Sequence, residues 1–273
     1  MLTLKAALEE AIASVGRVDA HVIVAHLLGV DRAYLAAHPM RVLTESEDAR
    51  VDLFIAQRAL GHPVAYLVGK REFYSRDFAV GPEVLIPRPE TETLVEAALE
   101  RIGPRAACLD LGTGSGVIGL TLACERPGLR VTATDASAAA LAVARANAAA
   151  LGCAERVELL LGDWYAPVAG RRFDLIASNP PYVAGDDAHL AAGDLRFEPG
   201  GALSDGSPDG LDSIRAIVAG AREHLAPGGW LLVEHGFDQA GAVARLLVDA
   251  GFANPVSIAD LAGIRRVAGV KSE

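Results

Sequence analysis

The chain has 273 residues, 51% of them hydrophobic and 22% charged, with a mean hydropathy of +0.28. That length suits one catalytic domain with a small companion, and so much apolar material excludes a globally disordered chain. A formal net charge of −10 argues against sequence-independent gripping of nucleic acid, which needs a basic footprint.

Cys108, Cys124 and Cys153 form no CxxC pair and are expected to be reduced core residues of a cytosolic protein. The histidines show neither HExxH nor mixed Cys/His ligand spacing, so no metal site is expected. No signal-peptide pattern opens the chain and no apolar run approaches bilayer length. A soluble, cytoplasmic protein without a membrane partner is therefore predicted.

The first seventy or so residues read as a small helical bundle. Leu2, Leu4, Ala7, Leu8 and Ala11 mark one apolar stripe; Val22, Val24, Ala25, Leu27 and Leu28 mark a second. A further helix is expected over Val42 to Leu60. Gly61 to Pro89 is rich in Gly, Pro and aromatics and suits a hairpin-like connector. It carries the basic cluster Lys70, Arg71, Arg76 and Arg88, read as a solvated face. Pro89 then opens a helix, where its missing N–H costs nothing and Glu90 and Glu92 complement the positive helix end.

From Ala107 the rhythm becomes strand–helix alternation. Apolar strands are predicted at Ala107 to Leu111, Arg130 to Thr134, Val157 to Leu161, Phe173 to Ala177 and Trp230 to Glu234. Helices are predicted at Ala138 to Leu151, Leu211 to Leu225 and Gln239 to Ala250, with a last strand over Phe252 to Ile258. Such alternation specifies an α/β fold with a doubly wound, mostly parallel sheet. In these sheets ligands bind beyond the carboxyl ends of the strands, so strand-end residues are the candidates.

The first of these strands runs into Asp110-Leu111-Gly112-Thr113-Gly114-Ser115-Gly116-Val117-Ile118-Gly119. Glycines there permit a sharp turn and close approach of a ligand to backbone N–H groups. Gly114 to Gly119 is also a literal GxGxxG, and Asp135 follows about 20 residues on, so a nicotinamide enzyme is one reading. The acid at position 110 favours S-adenosylmethionine: a carboxylate repels a pyrophosphate but not an ammonium or a sulfonium. Asp135 can accept both ribose hydroxyls, Asp163 can accept from the adenine amino group, and Trp164 can cover the base. The cofactor set is thus Asp110, Gly112, Thr113, Gly114, Ser115, Gly116, Asp135, Asp163, Trp164 and Asn179.

The Phe173 strand ends in Asn179-Pro180-Pro181-Tyr182, the predicted acceptor motif. An amide or aromatic amino nitrogen is a poor nucleophile. Two acceptors on its NH2, the Asn179 side-chain oxygen and the Pro180 carbonyl, would orient it and favour the positive charge that develops on it. The prolines fix the carbonyl's direction, and Tyr182 can pack against a planar group. The motif alone leaves adenine N6, guanine N2 and glutamine amides open.

The surrounding sequence resembles the HemK/PrmC family of protein-(glutamine-N5) methyltransferases, over essentially the whole chain. The likeness runs through Gly61-His62-Pro63, Tyr66-Leu67, Gly69 and Glu72-Phe73, then Leu85-Ile86-Pro87-Arg88-Pro89-Glu90-Thr91-Glu92. It continues through the glycine loop, Asp135, Asp163-Trp164, Asn179 to Tyr182, Arg196-Phe197-Glu198-Pro199 and Glu234-His235-Gly236. The Pro87 to Glu92 segment looks like the release-factor branch.

The resemblance implies a seven-stranded S-adenosylmethionine-dependent methyltransferase fold. It implies methylation of the glutamine of the Gly-Gly-Gln motif in class 1 peptide chain release factors, with S-adenosylhomocysteine as product. Asn179, Pro180, Pro181 and Tyr182 would be catalytic and hold the glutamine, with Pro87 and Arg88 in the site wall. The implied domains are a helical bundle over 1–73 that docks the release factor, a hairpin connector over 74–89, and a Rossmann-like methyltransferase domain over 90–273. A monomer that does not bind nucleic acid directly is expected. The alternative is an amino-methyltransferase acting on nucleic acid or on a ribosomal protein glutamine.

Overall fold

The computed structural model describes residues 2–273. They divide into two compact units, one comprising the chain up to Lys70 with Ala191–Phe197, the other Arg71–Leu190 with Glu198–Glu273.

The first unit contains α1 (Leu4–Val15), α2 (Arg17–Leu28), α3 (Arg32–Ala37), α4 (Glu45–Ala59) and α5 (Val64–Val68). The third and fifth of these were not read from periodicity, being too short to show one. Leu4, Ala7 and Ala11 of α1 meet Ala20, Ile23, Val24 and Leu27 of α2 and Val51 and Ile55 of α4 in one core. Val22, expected in the apolar stripe, is half-exposed, and Ile23 is buried in its place. Helix α4 starts at Glu45 rather than Val42 because Thr44 and Glu47 form a reciprocal capping box, worth about 1 kcal/mol.

The segment Ala191–Phe197, expected in the catalytic domain, clusters with these helices. Arg58 explains why. Its guanidinium bonds Asp19 at 2.7 Å and Asp194 at 2.7 Å, and a partly buried cation needs such partners. Phe197 also stacks on His62, with centroids 4.3 Å apart.

A two-stranded sheet comes next, β1 (Lys70–Phe73) and β2 (Arg76–Ala79). The expected hairpin within 74–89 is therefore centred earlier, and the rest of that span contains no strand. Its turn residues, Tyr74 and Ser75, both have positive φ (50° and 58°), a conformation usually supplied by Asn-Gly. The turn is held from outside, since the Tyr74 N–H donates to Glu92 at 2.8 Å. Two of the expected solvated cations are ion-paired instead, Arg76 with Glu125 and Arg88 with Glu198.

Pro89–Thr91 forms a single 3-10 turn leading into α6 (Glu92–Arg101). There follow β3 (Ala107–Leu111), α7 (Val117–Glu125), β4 (Arg130–Asp135), α8 (Ala138–Ala150), β5 (Val157–Leu161) and β6 (Phe173–Ser178). The chain closes with α9 (Gly200–Leu203), α10 (Asp212–His224), β7 (Leu225–Glu234), α11 (Ala240–Asp249), β8 (Val256–Ala259) and β9 (Arg265–Lys271). The seven strands run in the order β5-β4-β3-β6-β7-β9-β8, parallel except for β9, which is antiparallel to both neighbours. The last expected strand starts later than Phe252, whose side chain is buried in the core.

Two apolar layers cover the sheet, one carrying α6 and α7, the other α10 and α11. Strand order reverses direction at β3, so the connections leaving the paired carboxyl ends of β3 and β6 diverge at a switch point, where a crevice forms. Ser178 ties those ends together by donating its hydroxyl to the Leu111 carbonyl at 2.7 Å.

Gly220 in α10 illustrates how tightly one layer packs. A Cβ there would overlap the Tyr165 ring, itself fixed by a 2.8 Å bond to the Ile217 carbonyl and by stacking on His224. Alanine is ordinarily better than glycine inside a helix by about 1 kcal/mol. Here Gly220→Ala is expected to destabilise the protein by about 1–3 kcal/mol in urea unfolding, because overpacking outweighs propensity.

Candidate active site

The turn after β3 is made by glycines at 112, 114 and 116 with φ of +68°, +56° and +89°, values that a side chain would strain. Backbone N–H groups of Gly112 and Thr113 both donate to the Thr134 carbonyl of β4, at 2.9 and 3.0 Å. Beside the turn, Asp135 accepts from Gly114 N at 2.8 Å with one oxygen and from Ser137 N at 2.8 Å with the other. Each oxygen keeps a lone pair for a ligand.

Asp110 is placed differently from the expectation. It does not line the cavity; it is 1% exposed, behind the turn, where one oxygen accepts from the Thr113 hydroxyl at 2.6 Å and from Gly119 N at 3.0 Å. Burial pushes its carboxyl up to about 6, with the neighbouring Asp135 charge adding and the two hydrogen bonds opposing. Asp110 therefore braces the turn and does not border the cavity.

The turn opens on a cavity of about 660 Å³. Of the expected cofactor set, Gly112, Thr113, Gly114, Ser115, Asp135, Asp163, Trp164 and Asn179 line it; Gly116 starts α7 instead. Trp164 lies against Gly112, its ring 3.5 Å from where a Cβ would stand there. Its own φ is +40°, a strained value that the Thr134 hydroxyl helps hold by bonding the Trp164 carbonyl at 3.1 Å.

Pro181, Pro87 and Arg88 line the same cavity as Asn179. Pro180 and Tyr182 do not: Pro180 is buried, and Tyr182 turns its hydroxyl to Glu234 at 3.3 Å. Tyr182 thus packs into the protein rather than against a ligand, because Glu234 gives its hydroxyl a buried acceptor. Burial and the Glu234 charge raise the Tyr182 phenol well above its ordinary range. The Asn179 amide nitrogen donates to the Thr91 hydroxyl at 3.1 Å.

Several residues here had no assigned role in the sequence. Glu198, buried, receives Ile86 N at 2.9 Å and the Arg88 guanidinium, fixing the wall that carries Pro87. Asn147 of α8 accepts from Ala79 N at 2.7 Å and donates to the Ser115 carbonyl at 2.8 Å, so it joins the hairpin to the glycine turn. Glu234 ends β7 just as Asp135 ends β4, and the rule that singled out strand-end acids would have found it. Gly201, Ala202, Ser204, Asp205 and Ser213 add a wall of small side chains that no motif announced.

These residues fit S-adenosylmethionine. A carboxylate with spare acceptor capacity stands at the end of β4, an indole plane lies against a glycine, and the cavity has the size of a small-molecule site. Among the described residues, no group of three or more His, Cys, Asp or Glu is placed to hold a metal ion. No described helix is long and apolar enough to cross a membrane.

Known proteins agree with this geometry. The family model of the methyltransferase small domain matches residues 89–200, and that of the PrmC N-terminal domain matches residues 3–69. A methyltransferase from Pyrococcus furiosus shares the fold with a TM-score of 0.56 at 18% identity, over 79% of this chain and 96% of that one. A T. thermophilus 16S rRNA N2 methyltransferase in complex with AdoMet and guanosine shares it at 0.55 and 22% identity, over 75% of this chain and 50% of that one. Fold and site together define an S-adenosylmethionine-dependent methyltransferase.

Sequence relatives narrow the class. The release factor glutamine methyltransferase of Burkholderia pseudomallei is 52% identical over 258 residues, covering 92% of this chain and 90% of that protein. That of Bordetella pertussis is 51% identical over 256 residues, covering 93% and 94%. The chain belongs to the release factor glutamine methyltransferase family.

The buried Asp110 yields a test of the brace. Its folded-state pKa, about 6, lies above the 3.8 of an unperturbed carboxyl, so burial favours the protonated form. The stability this group contributes is fully present below 3.8 and is lost as pH rises through about 6. Asp110→Asn keeps an oxygen acceptor and cannot ionise. The thermal midpoint of this variant, measured against wild type at each pH, is expected to move in the variant's favour across that window.

Proposed function

We propose that this enzyme transfers a methyl group to the side-chain amide nitrogen, N5, of the glutamine in the Gly-Gly-Gln motif of class 1 peptide chain release factors, yielding S-adenosylhomocysteine. The observation that carries the reading is the placement of Asn179 at the switch point, on the same cavity as the glycine turn and Asp135. Membership of the release factor glutamine methyltransferase family supplies the acceptor.

When bound, S-adenosylmethionine supplies an electrophilic methyl on a positively charged sulfur, which departs as a neutral thioether. The protein's part is positioning. Gly112 and Gly114 put no side chain between the cofactor and the backbone of the turn, Asp135 accepts the ribose hydroxyls, Asp163 accepts from the adenine amino group and Trp164 covers the base. On the acceptor side, the Asn179 oxygen takes one N–H of the glutamine amide. The Pro180 carbonyl, in the peptide that leads into the cavity-lining Pro181, takes the other. Two acceptors raise electron density on a nitrogen whose lone pair is otherwise delocalised, and they favour the positive charge that develops on it. No strong general base is needed, because the proton can leave once the nitrogen has become cationic.

Pro87 and Arg88, held by Glu198, border the entering peptide, and the small wall from Gly201 to Asp205 leaves room for its two glycines. Tyr182 supports the motif from behind. The N-terminal helices dock the release factor, and the enzyme works as a cytoplasmic monomer without direct contact to nucleic acid or membrane.

Mass spectrometry of a release factor after incubation with enzyme and labelled methyl donor is expected to show one added methyl on the glutamine of Gly-Gly-Gln. Transfer solely to tRNA or DNA offered in the same reaction overturns the reading. Asn179→Ala is expected to lower kcat by about 10²-fold while cofactor affinity stays within about tenfold, since the lost contact acts on the reaction step.

A further inference from the structure

A proline has no N–H, so the backbone of Pro180 and Pro181 offers no donor by which the protein could tie it down. Each proline sets its own φ, and Pro181 keeps Pro180 extended, but ψ at position 180 stays free over a range of about 40°. That torsion decides where the Pro180 carbonyl points. Its aim must come from the residues on either side. The start of the motif is held by the Ser178 hydroxyl on the Leu111 carbonyl and by Asn179 on Thr91. The end is held at Tyr182, and the side chain that grips its backbone is Gln239.

We propose that Gln239 is a positioning residue for methyl transfer: its side-chain amide clamps the end of Asn179-Pro180-Pro181-Tyr182 to the loop that carries the wall of small side chains, and so fixes the direction of the Pro180 carbonyl. The proposal rests on the role given to that carbonyl above. The amide nitrogen of Gln239 donates to the Tyr182 carbonyl at 2.9 Å and to the Asp209 carbonyl at 2.9 Å, while its oxygen accepts from Gly236 N at 2.8 Å. Both N–H donors and the oxygen are thus engaged. Reversing the amide would set its oxygen against two carbonyls and its NH2 against an N–H, so it has one orientation. Tyr182 follows the two prolines, Asp209 lies in the loop between α9 and α10, and Gly236 follows β7. Pro181 lines the cavity just before the first of these, and Ser204 and Asp205 line it before the second. Gln239 itself does not line the cavity, so it acts through the segments it joins.

The two clamped segments are already in close contact. Val183 N donates to the Leu203 carbonyl at 3.0 Å and Gly185 N to the Ser207 carbonyl at 2.8 Å. Gly210, at φ +65°, lies so near that a Cβ there would overlap the Tyr182 carbonyl oxygen. The Tyr182 hydroxyl is held separately by Glu234. With Ser178 and Tyr182 both fixed, the prolines between them adopt the torsions that close the gap. Without the Gln239 donors the Tyr182 peptide is free to rotate. Because φ is locked at 180 and 181, ψ takes up that rotation, and the Pro180 carbonyl turns with it.

The deciding experiment follows kcat against pH in two variants of the full chain. Gln239→Glu keeps the shape and the acceptor for Gly236 N, but at about pH 8 it sets a carboxylate against two carbonyl oxygens. Its kcat is expected to fall about tenfold or more, with affinity for S-adenosylmethionine changed less than about threefold, which also reports that the variant is folded. The carbonyls disfavour the charge, so the introduced carboxyl takes up a proton as pH is lowered and regains one donor. The ratio of its kcat to that of wild type should therefore climb as pH falls towards about 5.5. Gln239→Met, with no donor at any pH, should lose as much at about pH 8 and keep a flat ratio. A side chain that only supported the start of α11 would change stability and leave kcat and its pH ratio alone. Unchanged kcat in either variant, equal losses of kcat and cofactor affinity, or a pH-independent ratio in Gln239→Glu overturn the clamp. If Gln239→Glu does not fold, Gln239→Met decides through kcat and cofactor affinity. If an acceptor other than glutamine is methylated and the ratio climbs on that acceptor, the functional reading fails and the clamp stands.

Discussion

A buried carboxyl, Asp110, sets the shape of the turn on which the cavity is built. Three left-handed glycines give that turn its path but no means of holding it, since glycine brings the largest entropy cost and no side chain. The means come from outside. Asp110 grips Thr113 and Gly119 from beneath, the Thr134 carbonyl gathers the next two N–H groups, and Asp135 takes Gly114 from the side. Each of these partners stands at the carboxyl end of β3 or β4, so the register of two parallel strands fixes where the turn can go. The apolar pairing of the sheet thereby fixes the path of the turn.

The same dependence reaches outward through Asn147. Buried on α8, it spends its oxygen on the Ala79 N–H and its nitrogen on the Ala79 and Ser115 carbonyls. One amide therefore binds the edge of the small hairpin and the back of the glycine turn, and helix α8 cannot shift without moving both. Glu92 performs a similar service at the hairpin's other end, accepting from Tyr74 where the backbone is strained. Strain of this kind persists only when neighbours over-determine it. The strained Trp164 backbone, held by Thr134, follows the same logic next to the cavity.

What was legible in the amino-acid order, and what was not, divides along the range of the interactions. Parallel strands buried on both faces must be continuous apolar runs, so β3 to β7 announced themselves, and their ends marked Asp135, Trp164 and Asn179. Strand β9 did not. It begins Arg265-Arg266, contains Gly269 and follows β8 through a short loop rather than a helix, so it broke the alternation that revealed the others. Gly269 has a packing reason that no local rule could supply, because Leu232 of the neighbouring strand fills the space a side chain would need. The transfer of Ala191–Phe197 to the helical unit depends on pairs far apart in the chain, Arg58 with Asp194, 136 residues away, and His62 with Phe197. The bond that holds Asn179 spans 88 residues, to Thr91, and the one that turns Tyr182 inward spans 52, to Glu234. Motif reading found Asn179, which lines the cavity, and gave no role to Thr91 or Glu234, the partners of Asn179 and Tyr182.

Asp110, Asp135 and Glu234 show why residue type at a strand end is only half the information. All three are acids at the carboxyl ends of parallel strands, and their surroundings assign them different work. Asp135 accepts two backbone N–H groups and still borders the cavity, with lone pairs to spare. Asp110 and Glu234 are almost fully removed from water, and burial lifts both carboxyls, to about 6 and about 7. A buried acid favours any arrangement that brings positive charge near it. Asp110, expected as a contact, stands behind the turn instead, where it braces Thr113 and Gly119.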